Sequence, residues 1–94
     1  MGKFLIDINL KGKTSLITGA TKGLGRGAAI AIAEAGGNVI AVGRNQVELD
    51  SLSKIIRRLK VKYTSFNCDV NNYNQMKLFI GQLKKIDILV NNAG

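Results

Sequence analysis

Glycines at positions 19, 23, 25 and 27 crowd the stretch TGATKGLGRG, between the apolar run Ser15–Thr18 and an alanine-rich segment. Each glycine loses more backbone freedom on folding than any other residue, so such a cluster weakens ordinary structure. It suits a close approach by something from outside the chain. A strand leading through glycines into a helix start offers outward N–H groups and the positive end of a helix dipole. Missing side chains then let a pyrophosphate come near. Gly23, Gly25 and Ala28 fit the dinucleotide fingerprint G-x-G-x-x-G/A. A glycine-rich turn followed by small-residue helix packing would produce the same letters. No Gly-Lys-Ser/Thr closes this glycine stretch, so a Walker-type triphosphate loop is not expected.

The elements that would position these residues alternate along the chain. Residues 14–18 read as a short strand, and Leu24 to Ala35 as a helix apolar nearly all round. Gly36-Gly37 ends that helix, glycine being the residue that tolerates a left-handed C-terminal cap. Asn38 to Val42 is an apolar run without alternation, which suits a parallel strand covered on both faces. Asn45 and Glu48 stand as N-cap and N3 of a second helix. Its apolar positions Val47, Leu49, Leu52, Ile55, Ile56 and Leu59 mark one buried stripe. Lys62 to Phe66 is a third strand, and Asn71-Asn72 opens a third helix with Met76, Phe79, Ile80 and Leu83 inward. Residues 86–90 form a fourth strand, followed by the loop Asn91-Asn92-Ala93-Gly94. Such alternation with short connections predicts the N-terminal part of a doubly wound parallel α/β sheet, a Rossmann fold with strand order 3-2-1-4. That order places the glycine loop at the topological switch point, where such sheets bind ligands.

The cofactor can be read one step further. An NAD site of this fold needs a carboxylate about 20 residues past the glycines, for the ribose 2′-hydroxyl. The residues there are Val42-Gly43-Arg44-Asn45, with no acid; Glu48 and Asp50 come later, inside the next helix. Arg44 offers a planar fork of donors suited to a 2′-phosphate. NADP is therefore the expected cofactor, although Arg44 and Lys22 also read as ordinary surface cations.

Bulk composition narrows the remaining classes. With 94 residues, 46% hydrophobic and 21% charged, the chain is at most one small globular domain or a piece of a larger one. No apolar stretch reaches the ~18–20 residues of a membrane span. The N-terminal pattern fits neither a secretory signal nor myristoylation. One cysteine, Cys68, and no histidine exclude a disulfide framework and the commonest metal ligand. A metal-free cytoplasmic protein without membrane association is the expectation. The net charge of +8 raises nucleic acid as a partner. Its cations are dispersed from Lys3 to Lys85 and only 5% of residues are aromatic, so no nucleic-acid binding is expected.

Thr18-Gly19-Ala20-Thr21-Lys22-Gly23-Leu24-Gly25 resembles the T-G-x-x-x-G-x-G motif of the short-chain dehydrogenase/reductase family. Asn91-Asn92-Ala93-Gly94 resembles its N-N-A-G, and Cys68-Asp69-Val70 its adenine-contacting aspartate with its neighbour. The resemblance covers essentially the whole chain. It implies that Gly19, Gly23 and Gly25, with Thr21 and Leu24 between them, form the turn against pyrophosphate and ribose. Asp69 would bond the adenine amino group, with the Val70 backbone beside it. Asn91 would tie neighbouring strands together, while Ala93 and Gly94 lie along the cofactor. In NADP-preferring members a basic residue before the second glycine and another after the second strand share the 2′-phosphate; Lys22 and Arg44 match those places. Local signals alone also allow Asp69 as a helix cap ahead of Asn71, and Asn91-Asn92 as a plain turn.

The same resemblance implies hydride transfer between nicotinamide and a small carbonyl or alcohol substrate, as in carbonyl, sugar or 3-oxoacyl reductases. The family's catalytic serine, tyrosine and lysine follow N-N-A-G. No catalytic residue is therefore expected within residues 1–94, a partial dinucleotide-binding domain that would be inactive alone. Tyr73 and Lys77 precede N-N-A-G and open a helix, so their match to the family's Y-x-x-x-K is read as chance. The complete protein is expected to be a homo-oligomer. The competing expectation is a non-catalytic dinucleotide-binding module or a gene fragment.

Overall fold

The computed structural model describes residues 9–92. Seven elements alternate: β1 (Thr14–Thr18), α1 (Gly23–Glu34), β2 (Asn38–Gly43), α2 (Gln46–Arg57), β3 (Tyr63–Asn67), α3 (Tyr73–Gly81) and β4 (Ile88–Asn91). The four strands form one parallel sheet in the order β3-β2-β1-β4. Leu16 lies opposite Ile40 on one side and Leu89 on the other, which sets the register of β1 with its two neighbours. The expected order is thus the observed one.

Strand alternation divides the core in two. Ile17, Val39 and Ala41 point to one face, where they pack on Ala29 and Ala33 of α1 and Leu49, Leu52 and Ile56 of α2. Gly25, Ala29 and Ala33 are the buried positions of α1, so a small-residue stripe lets that helix lie close on the sheet. Leu16, Ile40 and Val42 point the other way and pack with Cys68 against Met76, Phe79, Leu83 and Ile86. There the rings of Phe66 and Phe79 stack with centroids 4.1 Å apart. The fully buried Ser15 hydroxyl has no hydrogen-bond partner among the described residues.

Local signals set the helix ends. Asn45 Oδ1 accepts the Glu48 N–H at 3.0 Å, and Asn72 Oδ1 accepts that of Gln75 at 3.1 Å. These side chains satisfy donors that the first helical turn leaves orphaned. Gly36, at φ +92, follows the last turn of α1, and Gly37 N–H returns to the Ile32 carbonyl.

Three apolar positions depart from the sequence expectation. Val47 is 78% exposed, because the stripe of α2 begins only at Leu49. Leu59 lies beyond the end of α2, and Ile80 is 43% exposed because no element covers that side of α3 among the described residues. The third and fourth strands also start later than expected, at Tyr63 and Ile88.

Candidate functional site

All four strands end at one edge, and there a cleft of about 630 Å³ opens. Gly19, Thr21 and Lys22 form its floor at the end of β1; Gly43 and Arg44 approach from β2, and Asp69 and Val70 from β3. Six of the expected cofactor residues, dispersed over some fifty positions, thus meet around one space.

The glycine turn is built by strain relief and close contact. Gly19 and Gly23 adopt φ of +62 and +53, the left-handed region that side chains disfavour. A Cβ on Gly25 would collide with the Gly19 carbonyl, so the helix start sits directly beneath the turn. Ala20 N–H donates to the Val42 carbonyl at 3.2 Å, fastening the turn to β2. Lys22 is the N-cap of α1 and makes no side-chain cap bond. Among the described residues no side chain accepts from the first N–H groups of α1, the arrangement that welcomes an anion.

Thr18 binds the turn to the opposite strand. Its hydroxyl donates to Asn91 Oδ1 at 3.1 Å and accepts the Asn92 N–H at 3.0 Å. Asn92 Nδ2 reaches the Gly19 carbonyl at 3.4 Å. Asn91 thus supports the site from β4, behind the cleft, while Asn92 reaches its rim. Gly23 and Leu24 stand exposed at the start of α1, Leu24 at 84%. Ala93 and Gly94 lie outside the described residues.

Asp69 divides its carboxylate. Oδ1 accepts the Asn71 N–H at 2.9 Å, and Oδ2 faces the Arg44 guanidinium at 3.7 Å. Both side chains are well exposed, so this bridge contributes little stability by itself. The helix cap is Asn72, not Asp69. Cys68, at the same strand end, is buried against Gln75, its Sγ 3.1 Å from Gln75 Oε1. Burial, and then the neighbouring Asp69 charge, push its thiol pKa up, so it stays protonated at neutral pH.

Sequence reasoning left several lining residues out of the site, among them Asn92, Gly43 and Glu48. Gly43 approaches Thr21 so closely that an added Cβ would lie 2.8 Å from Thr21 Cγ2. Glu48 lines the cleft as well, although it belongs to α2. Its capping position three residues after Asn45 was the available signal, because a first-turn side chain lies beside the strand end that precedes it. Tyr73 and Lys77 lie outside the cleft. Tyr73 is 72% exposed, with the Lys77 ammonium 5.9 Å above its ring.

Residues 13–94 match the family model described as short chain dehydrogenase. The chain is 41% identical over 87 residues to a 3-oxoacyl-(acyl-carrier-protein) reductase of Rickettsia conorii, covering 93% of this chain and 35% of that one. Its backbone is similar to L-sorbose reductase of Gluconobacter frateurii, solved with NADPH and L-sorbose, at a TM-score of 0.86 and 26% identity. That likeness covers 95% of this chain and 36% of the reductase. Carveol dehydrogenase of Mycobacterium avium, solved with NAD, shares the fold at a TM-score of 0.82 and 24% identity, over 92% and 37% of the two chains. The chain thus spans about a third of the length of these relatives.

Proposed function

The chain belongs to the short-chain dehydrogenase family, and we propose that its residues bind NADP(H) for hydride transfer to or from a small carbonyl or alcohol carbon. The observation that carries the cofactor choice is the meeting of Lys22 and Arg44 in one cleft beside the uncapped start of α1. The glycine turn and the N–H groups of α1 receive the pyrophosphate, whose charge the helix dipole favours. Arg44, at the end of β2, presents its donor fork to the ribose 2′-phosphate, and Lys22 adds a second positive charge. Asp69 accepts from the adenine amino group with the Val70 backbone beside it. Asn91 ties β4 to β1.

When bound, the cofactor supplies the hydride. The residues of this chain orient it and neutralise its phosphates. The proton-transferring tyrosine, its lysine and the substrate-orienting serine belong to sequence that follows N-N-A-G in this family. Activity, substrate and assembly, including a homo-oligomer, are therefore properties of the whole protein, and residues 1–94 form its partial dinucleotide-binding domain.

The test compares NADPH and NADH affinity in the complete protein and in Arg44→Ala and Lys22→Ala variants. Loss of a charge-assisted phosphate contact, worth ~1.5–3 kcal/mol, weakens NADPH binding by one to two decades and leaves NADH nearly unchanged. Equal losses for both, or a parent that prefers NADH, would overturn the assignment. Glu48 supplies the opposing arm, since its carboxylate lines the same cleft. If Glu48→Gln weakens NADH and not NADPH, the 2′-hydroxyl is the group being read.

A further inference from the structure

The cations of this chain are dispersed in sequence but not in space. A parallel sheet brings the start of every strand to one edge. Lys11 and Lys13 precede β1, Lys60 and Lys62 precede β3, and Lys84 and Lys85 precede β4. Arg57 and Arg58 close α2 and arrive at that same edge. Hydrogen bonds join these strand starts: Asn38 N–H donates to the Lys13 carbonyl at 2.9 Å, and Lys62 N–H to Asn38 Oδ1 at 3.0 Å. Asp87 N–H reaches the Thr14 carbonyl at 2.8 Å, and Lys13 and Lys85 both act on its carboxylate.

All eight cations are exposed, and Lys85 alone among them has an ion pair among the described residues, with Asp87 at 3.6 Å. Among the described residues only Glu34 and Asp87 oppose them at this edge. At the opposite edge Lys22, Arg26 and Arg44 are matched by Glu48, Asp50 and Asp69. Lys54 and Lys77 stand on α2 and α3, so among the described residues most of the charge excess, though not all, lies on the pole away from the cofactor cleft.

We propose that this pole docks on an anionic lipid bilayer. The array extends from α2 across the sheet to the α3–β4 connection, so it spreads over an end face rather than a single row. A plane of headgroups matches that shape better than one phosphate strand does. The segments 10–13, 57–62 and 84–87 contain no aromatic residue that could stack on a base. Six of the eight cations are lysines, point charges on flexible stems rather than bidentate forks. Leu59, 36% exposed among them, offers one apolar contact at the interface. Docked this way, the molecule holds its cleft open to solvent on the far side. No membrane-spanning helix is involved, and none of the described helices is long and apolar enough to be one.

Flotation of the full chain with vesicles tests the proposal, since floating vesicles separate bound protein from any aggregate. Vesicles of phosphatidylcholine with phosphatidylglycerol should carry the protein at low salt and release it as salt screens the charges. Phosphatidylcholine alone should not carry it. Each lost cation should lower binding about fivefold, the equivalent of about 1 kcal/mol. Lys60→Gln with Lys62→Gln, and separately Lys11→Gln with Lys13→Gln, should each lose about twenty-fivefold. Thermal melts establish that each pair remains folded. Lys22→Gln with Arg44→Gln, on the opposite edge, should float like the parent. Equal binding to neutral vesicles, or equal losses in the cleft variants, would overturn the proposal. A DNA duplex that strips the protein from anionic vesicles at equal phosphate concentration would assign the pole to nucleic acid.

Discussion

A methyl group on Gly25 would drive into the Gly19 carbonyl, and both atoms belong to backbone that cannot swing aside. Gly25→Ala should therefore cost about 1–3 kcal/mol, the usual range for overpacking. A lowered melting temperature in the variant checks this, and an unchanged one would mean the turn lies farther from α1 than described. Gly23→Ala should act differently. Nothing lies within 4 Å of its added Cβ, so only the left-handed φ of +53 opposes it. Arg44 and Lys22 face a subtler test at this scale, because their charges are exposed and their contribution comes only when phosphate arrives. Glu48 occupies the first-turn place that its spacing from Asn45 predicts, and that place brings it to the cleft, which the spacing alone did not show.

Among the elements, β4 is held to β1 at both ends by side chains. At the far end Thr18 bonds Asn91 and Asn92, and at the near end Asp87 Oδ2 accepts the Thr14 N–H at 2.9 Å. That backbone bond, aided by Lys85 and Lys13, holds the Asp87 carboxyl below the usual aspartate range. A carboxylate with a depressed folded pKa contributes stability that is fully present above its unfolded pKa, ~3.9. The contribution is lost as pH falls through the lower, folded value. Acid unfolding of the parent should therefore steepen below the ordinary aspartate range, and Asp87→Asn should lack that component. Equal acid limbs in the two proteins would show that the Asp87 anchor is not formed. Tyr63 is the counterpart at high pH. Burial, reinforced by the Asp50 charge, pushes its phenol up to about 12, and its hydroxyl donates to the Leu49 carbonyl at 3.0 Å. Stability from this group is complete below pH ~10 and is lost as pH rises toward the folded value. Phenolate absorbance in a Tyr73→Phe variant, which leaves Tyr63 as the one tyrosine, follows that titration.

Across the whole molecule the two faces of the sheet are covered unequally. Helices α1 and α2 both cover the face of Ile17, whereas among the described helices α3 alone packs on the face of Leu16. Leu89, the register partner of Leu16 on the outermost strand, is 64% exposed. An apolar edge strand with unpaired backbone groups is a template for association. The 94 residues alone should therefore self-associate with rising concentration, and Leu89→Lys should reduce this. Light scattering that finds a monomer at all concentrations would refute it.

Helix number, helix ends and the glycine turn were legible in the sequence because they rest on local physics, while the strand order followed from the crossover rule of alternating strands and helices. Apolar runs, glycine pairs and the caps Asn45 and Asn72 act within a few residues of themselves. The motif resemblance placed Asp69 just past the third strand and Asn91 at the end of the fourth, where Asn91 follows the apolar run Ile88–Val90 directly. Coverage was decided only by tertiary structure. Val47 and Ile80 fit a helical stripe by spacing, yet a stripe is buried only where another element lies against it. Charge distribution was hidden in the same way. Lysines from 11 to 85 look dispersed along the chain, and parallel strands return them to one edge. Spacing in sequence measures distance along the chain, whereas packing and electrostatics act through space.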